Sequence, residues 1–300
     1  MKPLYKTKKG ELYLGDAEKI LPLKSFQQNK GKINLIFTSP PFPLIKKKAY
    51  GNLTGDDYIK WLSSYAVLFR DFLAPDGSIV IEIGNAWEKR SPTMSLFPLK
   101  SLISFKESGQ YYLCQEFIWY NPTKLPTPAQ WVNIERIRVK DAFTRLWWLS
   151  SNPKPKANNK NILNEYSKSM KELLEKQRYN SGKRPSEHII GKKSFLKNND
   201  GSIPSNVIIK SNTISNDSYL KYCRENDVPY HPARMPIDIV KFFIMFLTNP
   251  NDLILDPFAG SNTTGYVAEI MNRKWISIEK ELIYANSSRI RFGKTPKKSI

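Results

Sequence analysis

Short apolar runs alternate along this chain with longer stretches in which apolar residues recur at helical spacing. Residues 33–37 (INLIF) form a continuous run of strand length, closed by Thr38-Ser39-Pro40-Pro41. Over 58–72 the apolar positions fall at three- and four-residue intervals, which predicts an amphipathic helix stopped by Pro75-Asp76-Gly77. Residues 78–83 (SIVIEI) predict the next strand, and 116–120 and 146–149 predict two more on either side of a proline-rich loop. The alternation resumes near 236. Residues 236–247 predict a helix with proline in its first turn, and 252–255 and 274–279 predict buried strands. This rhythm predicts an α/β fold, a mainly parallel sheet with helices on both faces.

The middle of the chain breaks the rhythm. From 151 to 219 the composition shifts to Lys, Asn, Ser and Pro with only short apolar pieces, and DGSIP at 200–204 turns into a strand-like 207–209. Such a stretch fits a disordered linker, and equally a loop-rich module that gains order against a ligand. No internal repeat is present. The expected organisation is one domain built from 1–121 and 231–300, interrupted by an insert at 122–230.

Three hundred residues with 40% hydrophobic and 12% aromatic content suffice for a core of one large domain. No stretch approaches the roughly 18–20 apolar residues of a membrane span, and the charged start lacks the apolar run of a secretory signal. Cys114, Cys223, His188 and His231 are the only cysteines and histidines, and their spacing suits no metal site; a reducing cytoplasm is the expected address. Charge changes the picture more. The net +20 is uneven: residues 1–50 carry 11 basic and 3 acidic side chains, 151–220 carry 13 and 6, whereas 221–270 carry 4 and 6. A lysine-rich composition raises the total, but gathered charge of this kind points to a polyanion.

Two motifs carry candidate chemistry. In LILDPFAGSNTTG (253–265) an apolar strand ends in Asp256, a tight turn contains Gly260, and a helix follows. This is the anatomy of a nucleoside-cofactor site at the carboxyl end of a parallel strand. Twenty-three positions after Asp256 the next strand ends in Glu279, an acid placed to hold ribose hydroxyls. The loop has neither GxGxxG nor GxxxxGK[ST], which argues against NAD and ATP. The second motif is Thr38-Ser39-Pro40-Pro41-Phe42. Its prolines remove backbone donors, leaving carbonyl oxygens and the Ser39 hydroxyl to hold the two hydrogens of an exocyclic amine, while Phe42 offers a stacking face for an extruded base.

With both motifs in place, the chain resembles the amino-methyltransferases of bacterial and phage restriction–modification systems. TSPPF stands where that family has [S/D/N]PP[Y/F], and DPFAGSNTTG stands at its cofactor loop. The order, catalytic loop early and cofactor loop late, is similar to the permuted β class. Likeness extends to LGDA near the start, APDGS, WYNP and HPARMP, and KKKAYGN, KLPTPAQWVN and DGSIP are similar to segments of the family member that modifies CAGCTG. The resemblance implies a Rossmann-like S-adenosylmethionine-dependent methyltransferase sheet with a loop-rich target-recognition insert. It also implies double-stranded DNA as substrate, and a cognate restriction endonuclease as functional partner of a monomer or weak dimer. Serine at the head of the motif is the family's habit for N4 of cytosine, with N6 of adenine the alternative.

On that reading Ser39, Pro40, Pro41 and Phe42 are catalytic. Asp256 and the loop residues Phe258, Gly260, Ser261, Asn262 and Thr263 hold the methionine end of the cofactor, Glu279 its ribose, Asp16 lies near its adenine, and Thr38 is a further cofactor-binding residue. Lys46, Lys47, Lys48, Lys183, Arg184, Lys192 and Lys193 are the expected DNA contacts, mostly to phosphate. Trp119 and Tyr120 are weighed as a second wall of the base pocket and as core residues, and His231 is expected to make a structural hydrogen bond. A C5-cytosine mechanism needs a nucleophilic cysteine, which neither YLCQE nor KYCRE supplies. An RNA or protein-glutamine methyltransferase, and a non-catalytic DNA-binding protein on the same scaffold, are the readings outside DNA methylation.

Overall fold

The computed structural model describes residues 1–42, 55–212 and 217–294. In chain order the strands are β1 (Tyr5–Lys6), β2 (Gly10–Leu14), β3 (Ile33–Thr38), β4 (Leu73–Gly84), β5 (Tyr112–Tyr120), β6 (Phe143–Ser150), β7 (Gly182–Lys183), β8 (Ile189–Ile190), β9 (Val207–Ile209), β10 (Leu253–Asp256) and β11 (Lys274–Glu279). The helices are α1 (Ala17–Ile20), α2 (Gly55–Phe72), α3 (Phe97–Ser108), α4 (Lys168–Lys176), α5 (Ser218–Glu225), α6 (Ile237–Leu247), α7 (Thr263–Ile270) and α8 (Leu282–Ser287). The chain packs as two units, Met1–Ala157 with Asn206–Ile300, and Asn158–Ser205.

The larger unit is built on a nine-stranded sheet of order β1-β2-β11-β10-β3-β4-β6-β5-β9. The run from β2 through β4 is parallel throughout, while β6 is antiparallel to both β4 and β5. Alternation along the strands explains why their sequences are continuously apolar. Ile36 of β3 and Ile79, Ile81 and Ile83 of β4 enter a core with Tyr58, Leu62, Tyr65 and Phe69 of α2. Leu35, Phe37 and Val80 point the other way, into a core with Ile239, Val240 and Phe243 of α6 and Val267 of α7. Strands covered on both faces have no polar side to show.

Three differences from the sequence expectation have local causes. Helix α2 ends at Phe72 as expected, but Pro75-Asp76-Gly77 lies inside β4 as an irregularity, the pairing jumping from Ile33↔Leu73 to Leu35↔Ser78. Helix α3 falls where the sequence pattern predicts no element, because Leu99 and Ile103 are exposed while Pro98 and Ser101 share the buried face with Phe105. The separately packed unit is narrower than 122–230. β6 is hydrogen-bonded on both sides within the main sheet, β9 extends the β5 edge, and Tyr219, Leu220 and Cys223 of α5 pack with Ile290.

The smaller unit is ordered through polar contacts more than burial; no residue of α4 is buried. Ser167 caps α4 by accepting from Met170 N, Asn164 and Ser202 exchange backbone hydrogen bonds at 2.9 Å, and Tyr179 meets Phe195 edge-on at 5.4 Å. Among the described residues no helix is long and apolar enough to cross a membrane.

Candidate active site

Because β2, β11, β10, β3 and β4 run parallel, their carboxyl ends open on one edge of the sheet, and a cavity of about 720 Å³ lies there. Asp16 follows β2, Glu279 ends β11, the Asp256–Thr264 turn follows β10, Ser39–Phe42 follows β3, and Glu82 is near the end of β4. The antiparallel pair adds Trp119 from β5, Asn121 just after it, and Phe143 and Thr144 from β6. The edge forms one cavity, with Ser39 and Gly260 on its wall.

On one side two buried acids organise the backbone. Asp256 Oδ1 accepts from Thr38 Oγ1 at 2.9 Å and Phe258 N at 3.1 Å, and its Oδ2 accepts from Thr264 Oγ1 at 2.6 Å. Glu279 accepts from Gly260 N at 2.6 Å and Glu281 N at 2.8 Å. Burial pushes Asp256 up to about 6 and Glu279 up to about 7, against the pull of those donors. Gly260 has φ +52°, and a Cβ there would sit 3.2 Å from the His231 ring. A side chain there would press on His231, and the left-handed backbone is one that glycine adopts without strain. Phe258 meets Tyr65 and Trp61 at 5.0 and 5.5 Å, giving an aromatic wall from α2 beside the turn.

On the other side the proline turn sits against β4. Ser39 Oγ donates to Glu82 Oε2 at 2.6 Å. Burial pushes the Glu82 carboxyl up to about 7, while the Ser39 hydroxyl, the neighbouring Thr144 hydroxyl and the Lys124 ammonium pull it down. The Phe42 ring lies against the backbone of Gly84, where an added Cβ would meet it at 3.4 Å.

Most of the residues singled out from sequence line this cavity: Asp16, Ser39, Pro40, Pro41, Phe42, Asp256, Phe258, Gly260, Ser261, Thr263 and Glu279. Two do not. Thr38 is buried behind the wall and supports Asp256. Asn262 is fully buried with φ +53°; its side chain accepts from Gly265 N and Ser277 Oγ and donates to the Tyr5 hydroxyl, so it caps α7 rather than meeting a ligand. Lys46, Lys47 and Lys48 lie outside the described residues. Lys183, Lys192 and Lys193 are exposed on the smaller unit, and Arg184 is half-buried, its guanidinium donating to Asn180 O at 2.8 Å. Trp119 is both buried and on the cavity wall, whereas Tyr120 faces away from it.

Sequence reasoning missed Glu82, Thr144, Lys124 and the aromatic wall. Glu82 had a visible signal: a carboxylate in a strand otherwise apolar must find a partner or a task. Among the described residues no group of three His, Cys, Asp or Glu side chains is placed to hold a metal ion.

The family profile described as DNA methylase (N6/N4 type) matches residues 33–289. Type II methyltransferase M.PvuII of Proteus hauseri is 44% identical over 293 residues, covering 97% of this chain and 86% of the relative. Type II methyltransferase M.BglII of Bacillus subtilis is 24% identical over 282 residues, covering 92% and 67%. Among solved structures, PvuII DNA methyltransferase (cytosine-N4-specific) superposes with a TM-score of 0.77 at 37% identity, covering all of this chain and 90% of that one. The M1.HpyAVI–SAM complex shares the fold, with a TM-score of 0.55 at 21% identity over 95% of this chain and 100% of that one.

Proposed function

The chain belongs to the N6/N4 DNA methylase family, and from that membership we propose how its cavity transfers a methyl group from S-adenosylmethionine to N4 of cytosine in duplex DNA. One observation carries the reading: Ser39, hydrogen-bonded to a buried acid, shares a single cavity with the Gly260 turn and Glu279.

The residues of the β10–β11 side fit the cofactor. Bare backbone at Gly260, the flanking Phe258, Ser261 and Thr263, and the Asp256 carboxylate form the cradle for the methionine end. Glu279 keeps lone pairs free for ribose hydroxyls, and Asp16, at the end of the neighbouring strand, is next to the aromatic wall that suits an adenine ring. When bound, S-adenosylmethionine supplies an electrophilic methyl and departs as the thioether.

The β3–β4 side prepares the amine. The base leaves the stack and lies against Phe42, with the Pro40 carbonyl and Ser39 Oγ accepting its two amine hydrogens. Holding both draws the nitrogen lone pair toward the incoming methyl, and orientation of this kind is worth roughly 7–11 kcal/mol. As positive charge develops, Ser39 Oγ takes an amine proton and passes its own to Glu82 Oε2, so the acid ends protonated and the base neutral. Pro41 keeps the turn rigid and free of a competing donor.

The insert at 122–230 carries target recognition, with Lys183, Arg184, Lys192 and Lys193, and with Lys46, Lys47 and Lys48 beside the catalytic turn, neutralising phosphates. The protein acts in the cytoplasm as a monomer or weak dimer, paired functionally with a restriction endonuclease. Expression in a methylation-free host, followed by modification-sensitive sequencing, tests the whole. N4-methylcytosine at one short motif is expected. N6-methyladenine would reassign the base, and unmodified DNA would remove the function.

A further inference from the structure

Between β5 and β6, residues 121–142 form a loop fixed by its own hydrogen bonds. Asn121 N donates to Ala142 O at 2.8 Å, Asp141 N to Thr127 O at 2.9 Å, and Lys140 Nζ to Pro122 O at 3.0 Å, tying the two limbs together. At the tip, Val132 N donates to Pro128 O at 3.0 Å, Glu135 N to Gln130 O at 2.9 Å and Ile137 N to Trp131 O at 2.9 Å. This ordered loop nonetheless holds four apolar side chains in water: Leu125 is 76% exposed, Ile134 69%, Ile137 49% and Val139 87%. Ordering backbone to present apolar surface to solvent gains nothing in the free protein. Such surface marks a contact made with something else.

Place and charge indicate what that is. Both feet of the loop stand on the cavity: Asn121 and Lys124 on one limb and Ala142, followed by Phe143 and Thr144, on the other are part of its wall. Leu125 and Val139 lie on the two tied limbs, next to those feet. The basic residues of the segment are Lys124, Arg136, Arg138 and Lys140, against Glu135 and Asp141. Asp141 is engaged inward, accepting from Asn85 Nδ2 at 2.7 Å and Trp87 Nε1 at 3.4 Å, and Glu135 accepts from Gln130 Nε2 at 2.9 Å. Exposed apolar side chains on a loop that carries four basic residues, with both acids engaged and both feet on the cavity wall, suit a nucleic-acid duplex.

We propose that Leu125 and Val139 are a wedge that enters the duplex beside the target and fills the gap left when the cytosine swings into the cavity. The proposal rests on the reading of this chain as a methyltransferase that extrudes its base. It assigns extrusion to this loop, separately from the residues that bind phosphate or reach the amine.

The test compares two duplexes carrying the mapped target, one with guanine opposite the cytosine and one with an abasic site opposite it, where extrusion is easy. With Leu125→Ser/Val139→Ser, single-turnover methyl transfer should slow at least ~10-fold on the paired duplex and stay within ~3-fold of wild type on the abasic one, because only the first must be opened by the protein. Affinity for S-adenosylmethionine should not change, and Val139→Ile should keep both rates. Equal slowing on both duplexes, or none on either, overturns the wedge. So does sedimentation showing a wild-type dimer that the double variant breaks, since a second copy would then cover these side chains. A wild-type chain that methylates neither duplex overturns the underlying reading and the wedge with it, a result distinct from either of those.

Discussion

On the β10–β11 side of the cavity each buried acid is held by several fixed donors: Asp256 by two threonine hydroxyls and a backbone N–H, Glu279 by two backbone N–H groups. On the β3–β4 side Glu82 accepts from the hydroxyl of Ser39, which itself lies on the cavity wall. The difference is chemical. Backbone N–H groups of Phe258, Gly260 and Glu281 pin both acids of the first side and never surrender a proton, with the Thr38 and Thr264 hydroxyls adding to the hold on Asp256, so that side is a scaffold for a bound molecule. Ser39 belongs to the proline turn, and its hydroxyl can accept one proton from the amine while giving its own to Glu82, so the second side can move charge during a reaction.

The largest effect that follows is on Ser39. Ser39→Ala should lower kcat about 10²–10³-fold, the usual loss when one group that stabilises developing charge is removed, and leave the Kd for S-adenosylmethionine within about twofold. Titration calorimetry beside single-turnover kinetics checks this; loss of cofactor binding in the same variant would erase the division between the two sides. Gly260→Ala should do the reverse. At φ +52° and 3.2 Å from His231, the added methyl brings strain of about 1–3 kcal/mol, weakening cofactor binding while kcat at saturation holds. The smallest effect concerns stability. The folded Glu82 titrates at about 7, above its ordinary 4.5. Its contribution is therefore full below about 4.5 and is lost as pH rises through about 7. Glu82→Gln removes the buried charge, so thermal unfolding should rise by a few degrees at pH 8, roughly 2–4 °C per kcal/mol relieved, and scarcely change at pH 5. An equal shift at both pH values would mean that the acid is not buried as a charge.

The sequence made visible what is local or periodic. Strands β3, β4, β10 and β11 are buried on both faces, so their apolar runs stand out, and the two loops following β3 and β10 carry their chemistry in consecutive residues. What stayed hidden depends on which way a side chain turns or on residues far apart in the chain. Asn262 sits amid cavity-lining neighbours, yet its left-handed backbone turns its amide toward Tyr5 and Ser277. Glu82 is 43 residues from the serine it serves. The loop 121–142 reads as a proline-rich connection, and only its folded limbs show that its feet flank the cavity. The insert looked wider than the unit that packs by itself, since composition does not reveal that β6 pairs on both sides.

The relay from the amine through Ser39 to Glu82 is the claim on which the rest depends, and the pH dependence of the single-turnover methylation rate tests it most directly. With Glu82 at about 7, the wild-type rate should climb about tenfold per pH unit below that value and level off above it. Glu82→Gln should be slow and lose the climb. A wild-type rate that is flat across the range, or a climb that survives in Glu82→Gln, contradicts the relay.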